Sequence, residues 1–310
     1  MVIRQRKSCK TRTLRQIAQN YELYLFLLPA VLVVFCFQYI PMYGLQIAFK
    51  NFVPSQGILG SKWVGFTQFQ KFFNSYQFES LIGNTLFLSV YGLVAGFPMP
   101  ILLALLINQL RGKAFRKTLQ TVTYMPHFIS TVVIVGMLNI YLSPNSGLYV
   151  NIMRWLGLTP GNPLGEQNLF RSIYVWSDVW QHTGWDSIIY IAALSSIDPT
   201  LYEAATVDGA NKWHKIFYID LPSIVPTMVI LLILRAGNIM SVGFEKVYLM
   251  QNPLNTPVSE IISTYTYKIG IESLQYSYSA AIGLFNTIIN FVLLLGVNGL
   301  SKKIGETSLF

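Results

Sequence analysis

The chain has 310 residues, of which 53% are hydrophobic and only 11% are charged, and its formal net charge is +9. A soluble domain carries about 25% charged residues, so this composition excludes an ordinary water-soluble globule and indicates a membrane protein. The 22 Lys and Arg residues outnumber the 13 Asp and Glu residues.

Long apolar stretches predict the membrane-spanning helices in chain order. Four stretches without Asp, Glu, Lys or Arg cover residues 23–49, 80–110, 118–153 and 273–301. Each exceeds the roughly 20 residues that a helix needs to cross a bilayer. Two further apolar stretches carry charges, Asp178 and Asp186 in one and Arg235 in the other. We therefore predict an all-α polytopic membrane protein with six transmembrane helices, over residues 23–40, 85–107, 121–142, 174–194, 223–242 and 280–299.

The distribution of positive charge predicts the orientation in the membrane. Fourteen Lys and Arg residues fall on the side of the amino terminus and seven on the other side, while Arg235 lies within a span. Because positive loops stay in the cytoplasm, both termini and the polar loop at 198–222 are predicted to be cytoplasmic. The expected organisation is a basic tail (1–21), a membrane domain (22–300) and a second tail (301–310). The first tail directly precedes a span, which favours a topogenic role over nucleic-acid binding.

Enzyme chemistry has no support in the sequence. No G-x-x-x-x-G-K-[ST] or G-x-S-x-G motif is present, so neither ATP hydrolysis by a P-loop nor serine hydrolase activity is expected. His127, His182 and His214 lie on three different segments without metal-ligand spacing. We expect no cofactor and no metal.

The polar loop at 198–222 reads as two short helices. Asp198 and Pro199 form a good helix start, an N-cap followed by proline at the first helical position. Asp208 and Gly209 are expected to end that helix, since glycine tolerates the turn. A second short helix would present an apolar face that includes Trp213. Such a hairpin could fit a groove in a partner protein or lie on lipid headgroups.

The same loop resembles the E-A-A-x-x-x-G signature of permease subunits in binding-protein-dependent ABC importers. In that family the loop docks on a cytoplasmic ATPase and carries its closure into the membrane. The resemblance implies that the coupling loop (residues 198–222) contacts an ATPase through Glu203, Ala204, Ala205, Asp208, Gly209, Ile219, Leu221 and Pro222.

Further segments resemble the LplB-like polysaccharide or oligosaccharide permeases of that family, among them "WVGFTQFQKFF" and "VGFEKVYLMQNPLN". The resemblance implies a type I, MetI-like bundle in a bacterial cell membrane. It also implies a second homologous permease, a cytoplasmic ABC ATPase dimer, an extracellular solute-binding lipoprotein and an oligosaccharide substrate. An ABC permease for another solute and a self-contained secondary carrier remain the alternatives.

A polar stripe runs along the fourth predicted span. Asp178, Gln181, His182, Trp185 and Asp186 recur at helical spacing. Lipid offers such side chains no partners, so the stripe is expected to face other helices or a water-filled cavity.

Arg235 and Asp186 are predicted to lie at similar depth. Arg235 is about 20 Å past Pro222 along a helix, and Asp186 is about 18 Å before Asp198. The two side chains would form a structural ion pair or face the translocation path together. In a sharper hypothesis, Arg235 meets the carboxylate of an acidic sugar.

Three asparagines complete the candidates for a substrate path. They could instead form hydrogen bonds between helices. These residues are Asn238, Asn286 and Asn290.

Overall fold

The computed structural model describes residues 20–110, 112–159 and 161–305. Helices dominate these ranges, as the apolar pattern predicts. One short antiparallel hairpin interrupts them, in which β1 (Lys50–Asn51) pairs with β2 (Lys62–Trp63). The hairpin lies in the predicted extracellular loop after the first span.

The first membrane segment is longer than predicted. It runs through Tyr21–Phe49 as one apolar helix of 29 residues, in which α-helical, π-helical and 3₁₀ turns follow one another. Its first part, α1, has no buried residue and is exposed on all sides within this chain. The helices up to the second segment are α1 (Tyr21–Val34), α2 (Ile40–Met42), α3 (Gly57–Gly60) and α4 (Thr67–Phe73).

The second membrane segment consists of α5 (Phe78–Gly96) and α6 (Pro98–Asn108). The two helices meet at Phe97, directly before a proline that cannot donate a backbone hydrogen bond. Together they form a 31-residue apolar segment. It extends the predicted span toward its amino-terminal end.

The third predicted span is not one straight helix. The chain forms α7 (Lys113–Tyr124), a tight turn at Met125–Phe128 and α8 (Thr131–Tyr141), and the two helices are bent by 93°. Pro126 lies in the turn, where its missing N–H ends the regular ladder. The Ser130 hydroxyl then accepts a hydrogen bond from the Val133 N–H and starts a new helix.

The helix with the polar stripe occupies the centre of the structure. A short helix, α9 (Leu148–Trp155), precedes it, and α10 (Gln167–Ser195) then runs for 29 residues. Buried Phe170, Val175 and Val179 pack in one apolar cluster, and Tyr190 and Leu194 pack in another. Central packing therefore positions every polar side chain of the stripe.

The second half of the chain completes the bundle. After the coupling loop, a helix of 30 residues closes the membrane domain and packs along α13 and the end of the first segment. The helices are α11 (Pro199–Val207), α12 (Lys212–Lys215), α13 (Leu221–Ala236), α14 (Phe244–Met250), α15 (Thr256–Ser259), α16 (Ile262–Tyr267) and α17 (Tyr276–Gly305).

Within the described ranges, four helical segments are long and apolar enough to cross a membrane, and the bent pair α7 and α8 could make a fifth. Helix α10 has the length to span but is too polar to belong to this set. The polytopic helical fold is thus established, with at least four apolar helices.

Candidate functional site

Local hydrogen bonds shape the start of the coupling loop. The Asp198 carboxylate accepts a hydrogen bond from the Thr200 N–H at 2.9 Å, and Pro199 occupies the first position of α11. That backbone hydrogen bond lowers the pKa of Asp198. The N-cap predicted from the sequence is confirmed.

Gly209 ends α11 by adopting a positive φ of 75°. The Gly209 N–H donates to the Thr206 carbonyl at 3.1 Å, and the Ala210 N–H donates to the Ala205 carbonyl at 2.8 Å. These bonds satisfy carbonyls that the last turn would otherwise leave open. A residue with a Cβ is strained at this φ, so the turn favours glycine.

The coupling loop presents an exposed surface with small and aromatic side chains. Glu203 and Ala204 are exposed on α11, and Ala205 is half-buried. Trp213 and Phe217 are 64% and 57% exposed, and their rings stack with centroids 6.3 Å apart. Large apolar patches of this kind mark surfaces that meet a partner or a membrane.

The second half of the loop differs from the prediction. Instead of a separate short helix that ends before Leu221 and Pro222, one continuous helix runs over Lys212–Ala236. A wide π-helical turn at Ile216–Asp220 precedes Pro222, and such turns accommodate an interrupted hydrogen-bond ladder. Ile216 anchors the turn in the core. Ile219, Leu221 and Pro222 thus belong to the first part of a helix that is long and apolar enough to cross a membrane.

A buried carboxylate that the sequence did not reveal ties the loop to the bundle. Asp220 is fully buried and accepts hydrogen bonds from the Tyr202 hydroxyl at 2.5 Å, from Gln109 Nε2 at 2.8 Å and from Asn108 Nδ2 at 3.4 Å. These donors connect α11 and the end of α6 to the start of α13. Burial and the Asp220 carboxylate raise the pKa of Tyr202 to about 12.

Asp220 occupies a free position of the signature, so the motif does not single it out. The useful signal was a lone carboxylate between Ile219 and Leu221 at the entry to a membrane helix. A charge there needs partners when it is buried.

Asp178, the residue of the stripe farthest along α10 from the coupling loop, pairs with a lysine. Lys246 Nζ lies 3.3 Å from Asp178 Oδ1 and 5.4 Å from the centre of the Tyr174 ring. Lys246 is one of the seven positive charges that the sequence assigns to the side opposite the amino terminus, but it is only 4% exposed. Helix α14 packs against α8 and α16, and its Val247 joins the apolar cluster that contains Tyr174 of α10, which the sequence pattern did not indicate. His182 Nδ1 also lies 3.5 Å from Asp178 Oδ1.

Two other residues of the stripe make packing contacts. Buried Gln181 donates a hydrogen bond to the Ile129 carbonyl at 3.0 Å. This bond gives a donor to a backbone carbonyl at the bend between α7 and α8. The Trp185 ring stacks on His127 with centroids 4.5 Å apart and an interplanar angle of 2°. Gln181 and Trp185 therefore pack against the turn between α7 and α8.

Arg235 and Asp186 form the expected ion pair between α13 and α10, with Arg235 Nη2 donating to Asp186 Oδ2. Both side chains are about one third exposed. Arg235 also lines a polar cavity of about 200 Å³ together with Asp178 and Asn238. The stripe, α13 and the second membrane segment thus converge on one cavity.

The asparagines divide between the cavity and the packing of helices. Asn238 lines the cavity, and its Nδ2 donates to the Leu234 carbonyl. Asn290 accepts a hydrogen bond from the Met240 N–H and donates one to the Ser241 hydroxyl, both at 2.9 Å. Asn286 Oδ1 is buried without a donor within the described part of the chain. Asn290 therefore joins α17 to the end of α13.

Two solved structures of a bacterial transporter contain chains with this fold. A chain in the crystal structure of a bacterial ABC transporter involved in the import of the acidic polysaccharide alginate superposes with a TM-score of 0.88 and 43% identity. The match covers 95% of this chain and 99% of that chain. The crystal structure of the bacterial alginate ABC transporter in complex with an alginate pentasaccharide-bound periplasmic protein contains a similar chain, with a TM-score of 0.87 and 42% identity.

Two relatives from Bacillus subtilis (strain 168) are each 40% identical to this chain. The polygalacturonan/rhamnogalacturonan transport system permease protein YteP aligns over 98% of this chain and 95% of its own length. Protein LplB aligns over 93% of this chain and 91% of its own length. Residues 96–306 match the family described as binding-protein-dependent transport system inner membrane component. The family expected from the coupling loop is confirmed, and the chain belongs to the inner membrane components of binding-protein-dependent transport systems.

Proposed function

We propose that this chain forms half of the translocation path of an ABC importer for acidic oligosaccharides. A second homologous permease would form the other half, an extracellular solute-binding lipoprotein would deliver the sugar, and a cytoplasmic ABC ATPase dimer would supply the energy. The observation that carries the proposal is the exposed coupling loop, built with the residues of the family signature.

The acidic sugar is supported by relatives and by one charge in the membrane. YteP is named for polygalacturonan and rhamnogalacturonan, and the matched crystal structures are those of alginate importers. Arg235 lines the polar cavity and has more donors than Asp186 uses. A uronate carboxylate in the path would find a cationic partner there.

Six spans with both termini in the cytoplasm are part of this proposal. The bent pair α7 and α8 would serve as the third crossing, and α10 would be the fourth, shielded from lipid by its neighbours. With this count, the membrane domain would cover residues 22–300 between two cytoplasmic tails. It also puts the coupling loop and the basic tail on the same side, as the charge bias requires.

The residues of the coupling loop would have separate roles. Exposed Glu203 and Ala204 would contact the ATPase, and Ala205, Asp208 and Gly209 would define the turn that presents them. The helix start at Ile219, Leu221 and Pro222 would carry the movement of the loop into α13. Its continuity with the membrane helix supports a rigid mechanical connection.

Affinity purification tests the coupling loop. The tagged chain is extracted from its native membrane, and its partners are identified by mass spectrometry. The Gly209→Trp variant should lose the ATPase, because the side chain strains the turn and blocks the surface. Gly157→Trp is the matched control, since Gly157 also has a positive φ and open space but lies in a predicted outer loop. Recovery of the ATPase with Gly209→Trp would contradict the proposal.

The sugar and Arg235 are tested by uptake in proteoliposomes. The assembled transporter should import an acidic oligosaccharide, and Arg235→Gln should reduce that uptake more than the uptake of a neutral oligosaccharide of equal length. Equal effects on both sugars would reduce Arg235 to a structural partner of Asp186.

A further inference from the structure

A second polar recess lies beyond the far end of α13, away from the coupling loop. Its volume is about 390 Å³, within the range of about 300–1,000 Å³ that is common for sites of small ligands. The recess is separate from the cavity beside Arg235, because the two share no lining residue. Its lining residues are Tyr248, Gln251, Asn252, Pro253, Thr256 and Lys268.

Hydrogen bonds hold the amide walls of this recess in place. Gln251 Nε2 donates to the Ser259 carbonyl at 3.0 Å and to the Thr264 hydroxyl at 3.3 Å. Asn252 Nδ2 donates to the Leu164 carbonyl at 2.9 Å. Because these side chains are already ordered, a ligand bound there would lose little affinity to the ordering of the site.

An aromatic group forms one side of the recess. The ring of Tyr248 contacts Phe244 and Tyr267 with centroid distances of 5.4 and 5.2 Å, and Phe244 lies 5.1 Å from Tyr267. The Tyr248 hydroxyl donates to Glu272 at 2.9 Å, which fixes the ring. A fixed aromatic ring is a suitable platform for the C–H face of a pyranose, while amides and hydroxyls bind the sugar hydroxyls.

The Lys268 ammonium group lies at the edge of the same recess. Lys268 Nζ donates to Glu260 Oε1 at 2.9 Å, and the lysine side chain remains 30% exposed. An ammonium group has three donors, so this ion pair leaves capacity for a second carboxylate. The recess therefore combines an aromatic ring, fixed amides and a partly exposed cation.

We propose that this recess is an entry subsite that binds a uronate unit of the substrate before it reaches the cavity beside Arg235. Tyr248 stacks on the sugar ring and Lys268 binds its carboxylate, while Gln251 and Asn252 form the ordered wall that holds the ring in place. This inference rests on the proposed function, since it assigns an outer position to the same acidic oligosaccharide.

Saturation-transfer NMR of the assembled, detergent-solubilised transporter tests the subsite with tetragalacturonate as the probe and without the binding protein. The wild type should transfer saturation to the ring protons. Tyr248→Ala should weaken binding about threefold to tenfold, the loss expected for one aromatic contact. Tyr76→Ala is the matched control, because Tyr76 is 91% exposed and lies in another predicted outer loop. It should bind as the wild type does.

Lys268→Gln provides a second variant and decides the question if Tyr248→Ala fails to assemble. It should weaken binding of tetragalacturonate and leave binding of a neutral tetrasaccharide unchanged. Unchanged tetragalacturonate binding in the assembled variants would overturn the subsite.

Uptake with the binding protein separates the two proposals. Import of tetragalacturonate by the wild type, with no loss of NMR transfer in the variants, would overturn only the entry subsite. Failure of the wild type to import any acidic oligosaccharide would overturn the proposed substrate class and the subsite with it.

Discussion

Replacing Asp220 with asparagine should uncouple the ATPase from the membrane helices while the transporter still assembles. The carboxylate accepts its two shortest hydrogen bonds from Tyr202 on α11 and from Gln109 at the end of α6. An asparagine keeps the shape of the side chain but loses the charge. Its amide oxygen can replace only one of the two carboxylate oxygens. Its N–H group then faces either Gln109 Nε2, another donor, or the Tyr202 hydroxyl, which must turn to accept from it.

The expected cost follows from these contacts. A hydrogen bond to a charged group contributes about 1.5–3 kcal/mol, against about 1 kcal/mol for a neutral bond. Two weakened bonds therefore cost about 1–4 kcal/mol. Since about 1.4 kcal/mol corresponds to a factor of ten, the population with a detached α11 should rise roughly 5-fold to 700-fold.

The assay compares ATP hydrolysis by the assembled transporter with and without the loaded binding protein. Asp220→Asn should lower the stimulation and leave the basal rate and the recovery of the ATPase subunits unchanged. Tyr202→Phe should produce a smaller defect because it removes one donor. Tyr218→Phe is its control, since Tyr218 is in the same loop and 78% exposed. Normal stimulation in Asp220→Asn would refute the reasoning.

Three further predictions concern the membrane bundle and the loop. In a thermal unfolding assay, Arg235→Met should destabilise the assembled protein by about 1–3 kcal/mol. The loss is smaller than for a fully buried ion pair because both side chains are about a third exposed. Adding Asp186→Leu to this variant should restore part of the lost stability. Gly184→Ala should lower the yield of folded protein, because its Cβ would collide with the backbone of α7, whereas Gly283→Ala, which has open space, should fold normally in the same size-exclusion assay. The Tyr202 hydroxyl stabilises the loop in its protonated form, and its pKa is raised to about 12. The stability difference between the wild type and Tyr202→Phe should therefore be complete below about pH 10 and disappear as the pH rises toward about 12.

Local sequence chemistry was sufficient for the turn of the coupling loop. Asp198 and Pro199 start α11, and Gly209 ends it, because each acts through its own backbone or a neighbouring N–H. The family signature depends on the same short-range requirements. The apolar stretches were also sufficient to predict a helical membrane protein, since a chain in lipid must satisfy its backbone hydrogen bonds within each segment.

Depth along a helix predicted one long-range contact. Arg235 and Asp186 were placed at similar distances from the cytoplasmic side, and they form an ion pair in the structure. The number of residues from the coupling loop predicted this contact correctly because both helices start near that loop. The same count carries no information on whether the pair only stabilises the bundle or also contacts the substrate.

Only the tertiary structure revealed the burial of Lys246 and Asp220. The charge pattern assigns Lys246 to an outer loop, but Lys246 is buried beside Asp178 and Tyr174 of α10 because α14 packs into the bundle against α8. Asp220 finds donors on α6 and α11, which are 18 or more residues away along the chain. The bend between α7 and α8 likewise depends on Gln181, which reaches across from α10 to the Ile129 carbonyl. Periodicity and capping depend on interactions within a few residues of the chain. A buried charge or carbonyl instead needs hydrogen-bond partners, and these come from distant segments that approach only in the packed bundle.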